Sequence, residues 1–77
     1  MFDPAQLAAL AAIHRRGTFE AAAADLHVTP SAISQRIKAL EEAAGTLLLS
    51  RGQPCIATTA GLRLVRHHDE IALLTRQ

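Results

Sequence analysis

Apolar residues recur along most of this chain at a helical rather than a strand period. After Asp3-Pro4-Ala5-Gln6, the residues Leu7, Leu10, Ala11 and His14 fall on one face, with Ala8, Ala12 and Arg15 beside it. Spacings of three and four residues are those of an α-helix. Asp3 is a helix N-cap, Pro4 suits the first helical position, and Gln6 is placed to complete a capping box. Gly17 ends this helix by tolerating a left-handed conformation, and Arg15 and Arg16 complement the dipole in its last turn. Thr18 then caps a short second helix over 19–26, FEAAAADL, in which Ala22 and Ala23 are small enough for another backbone to pass close by. Leu26 and Val28 flank His27 in a tight apolar connection.

The stretch 28–42, VTPSAISQRIKALEE, organises the rest. Thr29 is an N-cap and Pro30 occupies the first helical position, where its missing N–H costs nothing. Ile33, Ile37, Leu40 and Ala44 make one narrow apolar stripe, while Ser31, Ser34, Gln35 and Lys38 lie almost opposite. That polar face carries short hydroxyls, one amide and one cation, and no acid before Glu41 and Glu42. A face meant only for water mixes both charge signs and long side chains. This one suits an anionic partner that offers donors and acceptors, as a DNA major groove does. Two short helices, a tight turn and a polar-faced third helix spell helix-turn-helix.

Gly45 closes the third helix. The apolar runs 46–51 and 55–57 surround the turn Gly52-Gln53-Pro54, which predicts a short β-hairpin, a wing. Pro54 cannot donate to a ladder, so the hairpin is short and exposed at its tip. Thr58 or Thr59 caps a long last helix running from Ala60 to about Gln77. On it Leu62, Val65, Asp69 and Ala72 line one side and Leu64, Ile71 and Leu74 another. Two apolar stripes in so small a domain imply two partners, the domain itself and a second chain. The expected fold is mainly α, a winged helix-turn-helix over 1–58 followed by a linker and dimerisation helix over 59–77. The expected core is Leu7, Leu10, Phe19, Leu26, Ile33, Ile37, Leu40 and Leu48.

Composition narrows the picture. With 77 residues, 49% apolar but rich in alanine and only 3% aromatic, the chain builds one thin core. A net charge of +1 is too mild to declare a nucleic-acid binder. Its distribution says more, because Arg36, Lys38, Arg51, Arg63 and Arg66 face only Glu41 and Glu42 between Thr29 and Arg66. Cys55 is the single cysteine, so no intrachain disulfide or cysteine metal cluster is available, and it suits a small buried position. In His67-His68-Asp69-Glu70 adjacent histidines point about 100° apart and only the His67–Glu70 pair shares a face, so no metal site is expected. His14 and His27 fit structural positions. No nucleophile, base and orienting group come together, so an enzyme is not expected. The first residues hold no basic segment and no long apolar run, so neither a signal peptide nor a membrane span is expected.

With those residues placed, the chain resembles the N-terminal DNA-binding domain of LysR-type bacterial transcriptional regulators. The resemblance rests on GTFEAAAADLHVTPSAISQRIKALEEAAGTLLLSR and on TTAG opening the last helix. VTPSAISQRIKALE followed by SRGQP is most similar to the branch that regulates lysine and arginine exporters. Many members carry Gln-Pro where Pro30 and Ser31 stand here, so a base contact by an amide at that point passes to Ser31 or to backbone. A phenylalanine common in the wing is Leu49 here, a change of packing. The resemblance implies a longer parent chain with an effector-binding domain after the last helix, lysine or arginine as the effector, and no cofactor in this domain. It implies a cytoplasmic protein that binds double-stranded DNA at an interrupted dyad.

The site residues expected on DNA are Thr18, Thr29, Pro30, Ser31, Ser34, Gln35, Arg36, Lys38, Arg51 and Gln53. Ser34 and Gln35 are the candidates for base edges, Ser31 for phosphate at the helix N-terminus, and Lys38 for either. Arg36 lies at the edge of the core stripe and could equally pair with an acid. Arg51, and Gln53 at the wing tip, would meet flanking backbone or minor groove. Thr18 is first a cap, with phosphate contact as a second use. Homodimerisation is expected through Leu62, Leu64, Val65, His68, Ile71 and Leu74. The competing reading is a small helical interaction module whose third helix meets a protein instead of DNA.

Overall fold

The first three helices begin on the residues that the sequence marks, and α1 and α3 also end there. The computed structural model describes residues 2–75 and gives the order α1 (Pro4–Arg16), α2 (Phe19–Leu26), α3 (Pro30–Ala44), β1 (Leu49–Ser50), β2 (Ile56–Ala57) and α4 (Thr59–Thr75). Asp3 accepts the Ala5 N–H at 2.7 Å, Thr18 the Ala21 N–H at 3.1 Å, and Thr29 the Ala32 N–H at 3.1 Å. Each bond satisfies a backbone donor that the first helical turn leaves without a partner. Among the described residues no bond returns from Gln6 to the Asp3 N–H, so the expected capping box is a one-sided cap. Gly17 and Gly45 close α1 and α3 in the left-handed region, at φ 84° and 73°.

The turn between α2 and α3 uses a different residue. His27 adopts φ 58°, and the Val28 N–H reaches back to the Ala23 carbonyl at 3.0 Å. A left-handed residue followed by that back-bond stops one helix and turns the chain sharply into the next.

α1 packs against α2, α3 and α4 at once. Its buried residues are therefore not a stripe but most of its circumference: Leu7, Ala9, Leu10, Ala11, Ala12 and Ile13. Ala22 and Ala23 are likewise buried in α2, which lets that helix approach closely. Ile33, Ile37 and Leu40 of α3 are fully buried, as are Leu10, Ile13 and Leu48. Phe19 and Leu26, expected in the core, are half-buried at its margin. Ile13, Leu49 and Val65 are buried in addition.

The hairpin is smaller than the apolar runs suggest. Its two strands are two residues each, antiparallel, with Leu49 opposite Ala57 and Ser50 opposite Ile56. With Leu49 opposite Ala57, Leu48 stands opposite Thr58, and of the two ladder bonds that pair could exchange only one forms, because the Leu48 N–H is taken elsewhere. The Leu48 N–H donates to the Glu41 carboxylate, its carbonyl accepts the Thr58 N–H, and the Leu47 carbonyl accepts the Thr58 hydroxyl. Cys55 is half-buried, and its N–H donates to the Gly17 carbonyl at 2.8 Å.

Thr58 caps α4, accepting the Gly61 N–H at 3.1 Å. The expected continuation of α4 to Gln77 lies outside the described residues. The two stripes read on this helix divide differently in space: Val65 is buried and Leu64 of the second set also packs on the core. The inward side of α4 thus includes a residue from each expected stripe. Gly61 is where α4 meets the wing. A Cβ there would overlap the Leu48 carbonyl oxygen and sit 3.2 Å from the Ala57 Cβ.

Two outcomes follow from this packing. Ile37→Ala removes a fully buried side chain from a thin core and should lower stability by about 2–5 kcal/mol in urea unfolding. Gly61→Ala should cost about 1–3 kcal/mol, because backbone on the far side cannot yield as a side chain would. Unchanged unfolding of either variant would contradict the corresponding contact.

Candidate nucleic-acid interface

The apolar side of α3 fixes which side faces outward. With Ile33, Ile37 and Leu40 at zero exposure, the residues opposite them cannot turn in. Ser31, Ser34, Gln35 and Lys38 are all exposed and share the outer face of this one continuous helix. Thr29 and Pro30, just before them, are exposed too, and Thr29 is committed to capping. Arg36 is half-buried at the edge of the stripe and, among the described residues, makes no ion pair; it does not pair with an acid.

Charge on the rest of the surface is unevenly neutralised. Asp25 holds both arginines at the end of α1, with Arg16 at 3.1 Å and Arg15 at 3.6 Å. Lys38, Arg63 and Arg66 are exposed and make no ion pair among the described residues. Lys38 on the outer face of α3 is therefore not tied up by an acid, while the arginines ending α1 are partly neutralised.

Arg51 lies at the end of β1 and is a meeting point of three elements. Its guanidinium carbon sits 5.2 Å from the centroid of the Phe19 ring, a cation–π distance, and Nη2 lies 3.6 Å from Glu41 Oε1. Phe19 opens α2 and immediately follows Thr18, so the wing arginine and the N-terminal end of α2 are neighbours. Thr18 itself is exposed and serves as the cap. Gln53 is exposed in the wing turn, where no described contact joins it to Arg51. Two residues of this region carried no sequence signal: Glu41, which looked like one of two acids ending α3, and Phe19, which looked like core. Only a contact seven residues ahead, from Glu41 to Leu48, reveals the first.

The expected dimer residues separate. Val65, 6% exposed, is consumed by its own core and offers no surface to a second chain. Leu62, Leu64 and His68 are half-buried, whereas Ile71 and Leu74 are exposed at 45% and 74%. An open apolar groove of about 680 Å³ runs between Phe2, Pro4 and Leu7 on one side and Leu64, His68 and Ile71 on the other. Among the described residues no group of three or more His, Cys, Asp or Glu side chains could hold a metal ion, and no helix is long and apolar enough to cross a membrane.

Comparison with known proteins places this arrangement. Residues 4–62 match the model of the bacterial regulatory helix-turn-helix proteins, lysR family. The HTH-type transcriptional regulator LysG of Mycobacterium tuberculosis is 58% identical over 72 residues, which are 94% of this chain and 24% of that protein. The lysine export transcriptional regulatory protein LysG of Corynebacterium efficiens is 49% identical over 94% of this chain and 25% of its own length. The chain thus spans about a quarter of the length of these relatives. A crystal structure of the CbnR DNA-binding domain in complex with DNA superposes with a TM-score of 0.86 at 31% identity, covering 96% of this chain and 86% of that one.

Proposed function

The chain belongs to the LysR family of bacterial regulatory helix-turn-helix proteins, and we propose that its α3 is the recognition helix of a sequence-specific DNA-binding domain. The observation that carries this assignment is the exposed face of Ser31, Ser34, Gln35 and Lys38, three turns with no acid before Glu42, on a helix held rigidly from behind. Gln35 and Ser34 read base edges in the major groove, and Lys38 adds phosphate or base contact. Thr29, Pro30 and Ser31 lie at the helix N-terminus, where backbone N–H groups favour phosphate. Thr18 faces the backbone from the start of α2, Arg36 from the edge of α3, and Arg51 and Gln53 reach the flank from the wing. The relative named for lysine export supports a basic amino-acid exporter gene as the target of the parent protein. Such a regulator acts in the cytoplasm and is not an enzyme.

Two copies act together on an interrupted dyad. Ile71 and Leu74 expose apolar surface beside a groove lined by the start of α1, and a second copy of α4 covers both at once. Leu62, Leu64 and His68 border that contact, so the dimer face is narrower than the span 62–74 and leaves out Val65.

Gln35→Ala should reduce discrimination at one base step by about 1–3 kcal/mol while leaving binding to unrelated duplex nearly unchanged. Competition with single-base variants of a selected site measures this, and an unaltered specificity ratio would remove Gln35 from the groove. Ile71→Glu combined with Leu74→Glu should yield a folded monomer in sedimentation that binds a palindromic duplex weakly and without cooperativity. Sedimentation of the parent chain as a monomer at high micromolar concentration would count against the dimer.

A further inference from the structure

Glu41 opens the last turn of α3, with its side chain only 13% exposed. A carboxylate so nearly enclosed needs partners for its oxygens. Oε2 accepts the Leu48 N–H at 2.9 Å, and Oε1 lies 3.6 Å from Arg51 Nη2. The first contact ties the end of α3 to the point where the chain enters the wing. The second reaches the cation of the wing itself.

An arginine at the end of a two-residue strand would ordinarily sample many rotamers, and ordering it costs entropy. Here two fixed groups from different helices define its place, the Glu41 carboxylate on α3 and the Phe19 ring on α2. The Arg51 side chain nevertheless stays 49% exposed. Contact with one carboxylate oxygen leaves most guanidinium N–H donors available, and a phosphate is the anion their planar fork matches.

We propose that Glu41 is the positioning residue of the wing: from within the recognition helix it aims Arg51 at the DNA backbone flanking the half-site. Because the carboxylate belongs to α3, seating that helix in the groove sets Arg51 at a fixed offset from it. This inference rests on the reading of Arg51 as a flanking contact. Simple electrostatics argue the opposite sign, since an acid beside the wing repels DNA and its removal should tighten binding. The sign of the effect therefore decides between a positioning group and a mere charge.

Glu41→Gln keeps an oxygen for the Leu48 N–H and removes the charge that holds Arg51. Binding of the parent, Glu41→Gln, Arg51→Ala and the double variant is measured on a duplex selected by this chain from a randomised pool, with hydroxyl-radical footprints of each. Glu41→Gln should weaken binding about three- to tenfold where Arg51 is present, less than the loss of a whole charge-assisted contact because Arg51 itself remains. In the Arg51→Ala background it should have no effect or tighten binding. Protection should fade on the backbone flanking the half-site and persist at its centre. Glu41→Asp, which keeps the charge but withdraws it by one methylene, is the second variant and should show the same loss confined to the flank. Tighter binding of Glu41→Gln in both backgrounds, equal weakening in both, or protection lost uniformly would overturn the proposal. If Arg51→Ala binds and protects like the parent, the reading of Arg51 fails and the role of Glu41 fails with it. If Arg51→Ala loses the flank and Glu41→Gln does not, only the role of Glu41 is lost.

Discussion

Close approach of α1 to three other helices is the constraint on which this fold depends. A helix that packs on α2, α3 and α4 together must be narrow on several sides, and Ala9, Ala11 and Ala12 make it so. Alanine gives up volume in exchange, so the large side chains are few and each matters: Leu10 and Ile13 from α1, Ile33, Ile37 and Leu40 from α3, and Leu48 from the approach to the wing. That arrangement leaves α3 no freedom to rotate about its axis. Which residues of the helix meet a partner is settled by the residues that cannot.

The helices were legible in the sequence because their limits are local events. A threonine or aspartate side chain caps the first turn, and a glycine ends α1 and α3, whereas the left-handed His27 that ends α2 is not a residue that marks a helix stop. None of this needs a distant residue. The polar face of α3 was legible for the same reason, since residues on one helix keep their angular relation wherever the helix lies.

Features that depend on two segments meeting were not legible. Ile13 lies outside the face that periodicity selects, because α1 is buried around most of its circumference rather than along one stripe. Leu64 turns inward beside Val65 because the groove between α1 and α4 accepts it. Apolar residues before the wing promised longer strands, yet the Leu48 N–H that would continue the ladder is bonded to the Glu41 carboxylate, and the Leu47 carbonyl to the Thr58 hydroxyl. The position of Arg51 between Phe19 and Glu41 joins α2, α3 and the residue that follows β1, a relation that no periodicity encodes.

The wing is tethered well beyond its own two-residue strands. Cys55 donates its N–H to Gly17 behind α1, Ala57 donates to His14 Nδ1 at 3.4 Å, and Leu48 donates to Glu41. A hairpin held by three bonds to two helix ends has little conformational freedom left to lose on binding, so less affinity is spent on ordering it. It also makes the domain a calliper of fixed span, with one jaw in a groove and the other on nearby backbone. A calliper responds to the width and bend of what it closes on. Duplexes whose local shape brings that backbone to the set distance are favoured at positions where no side chain touches a base.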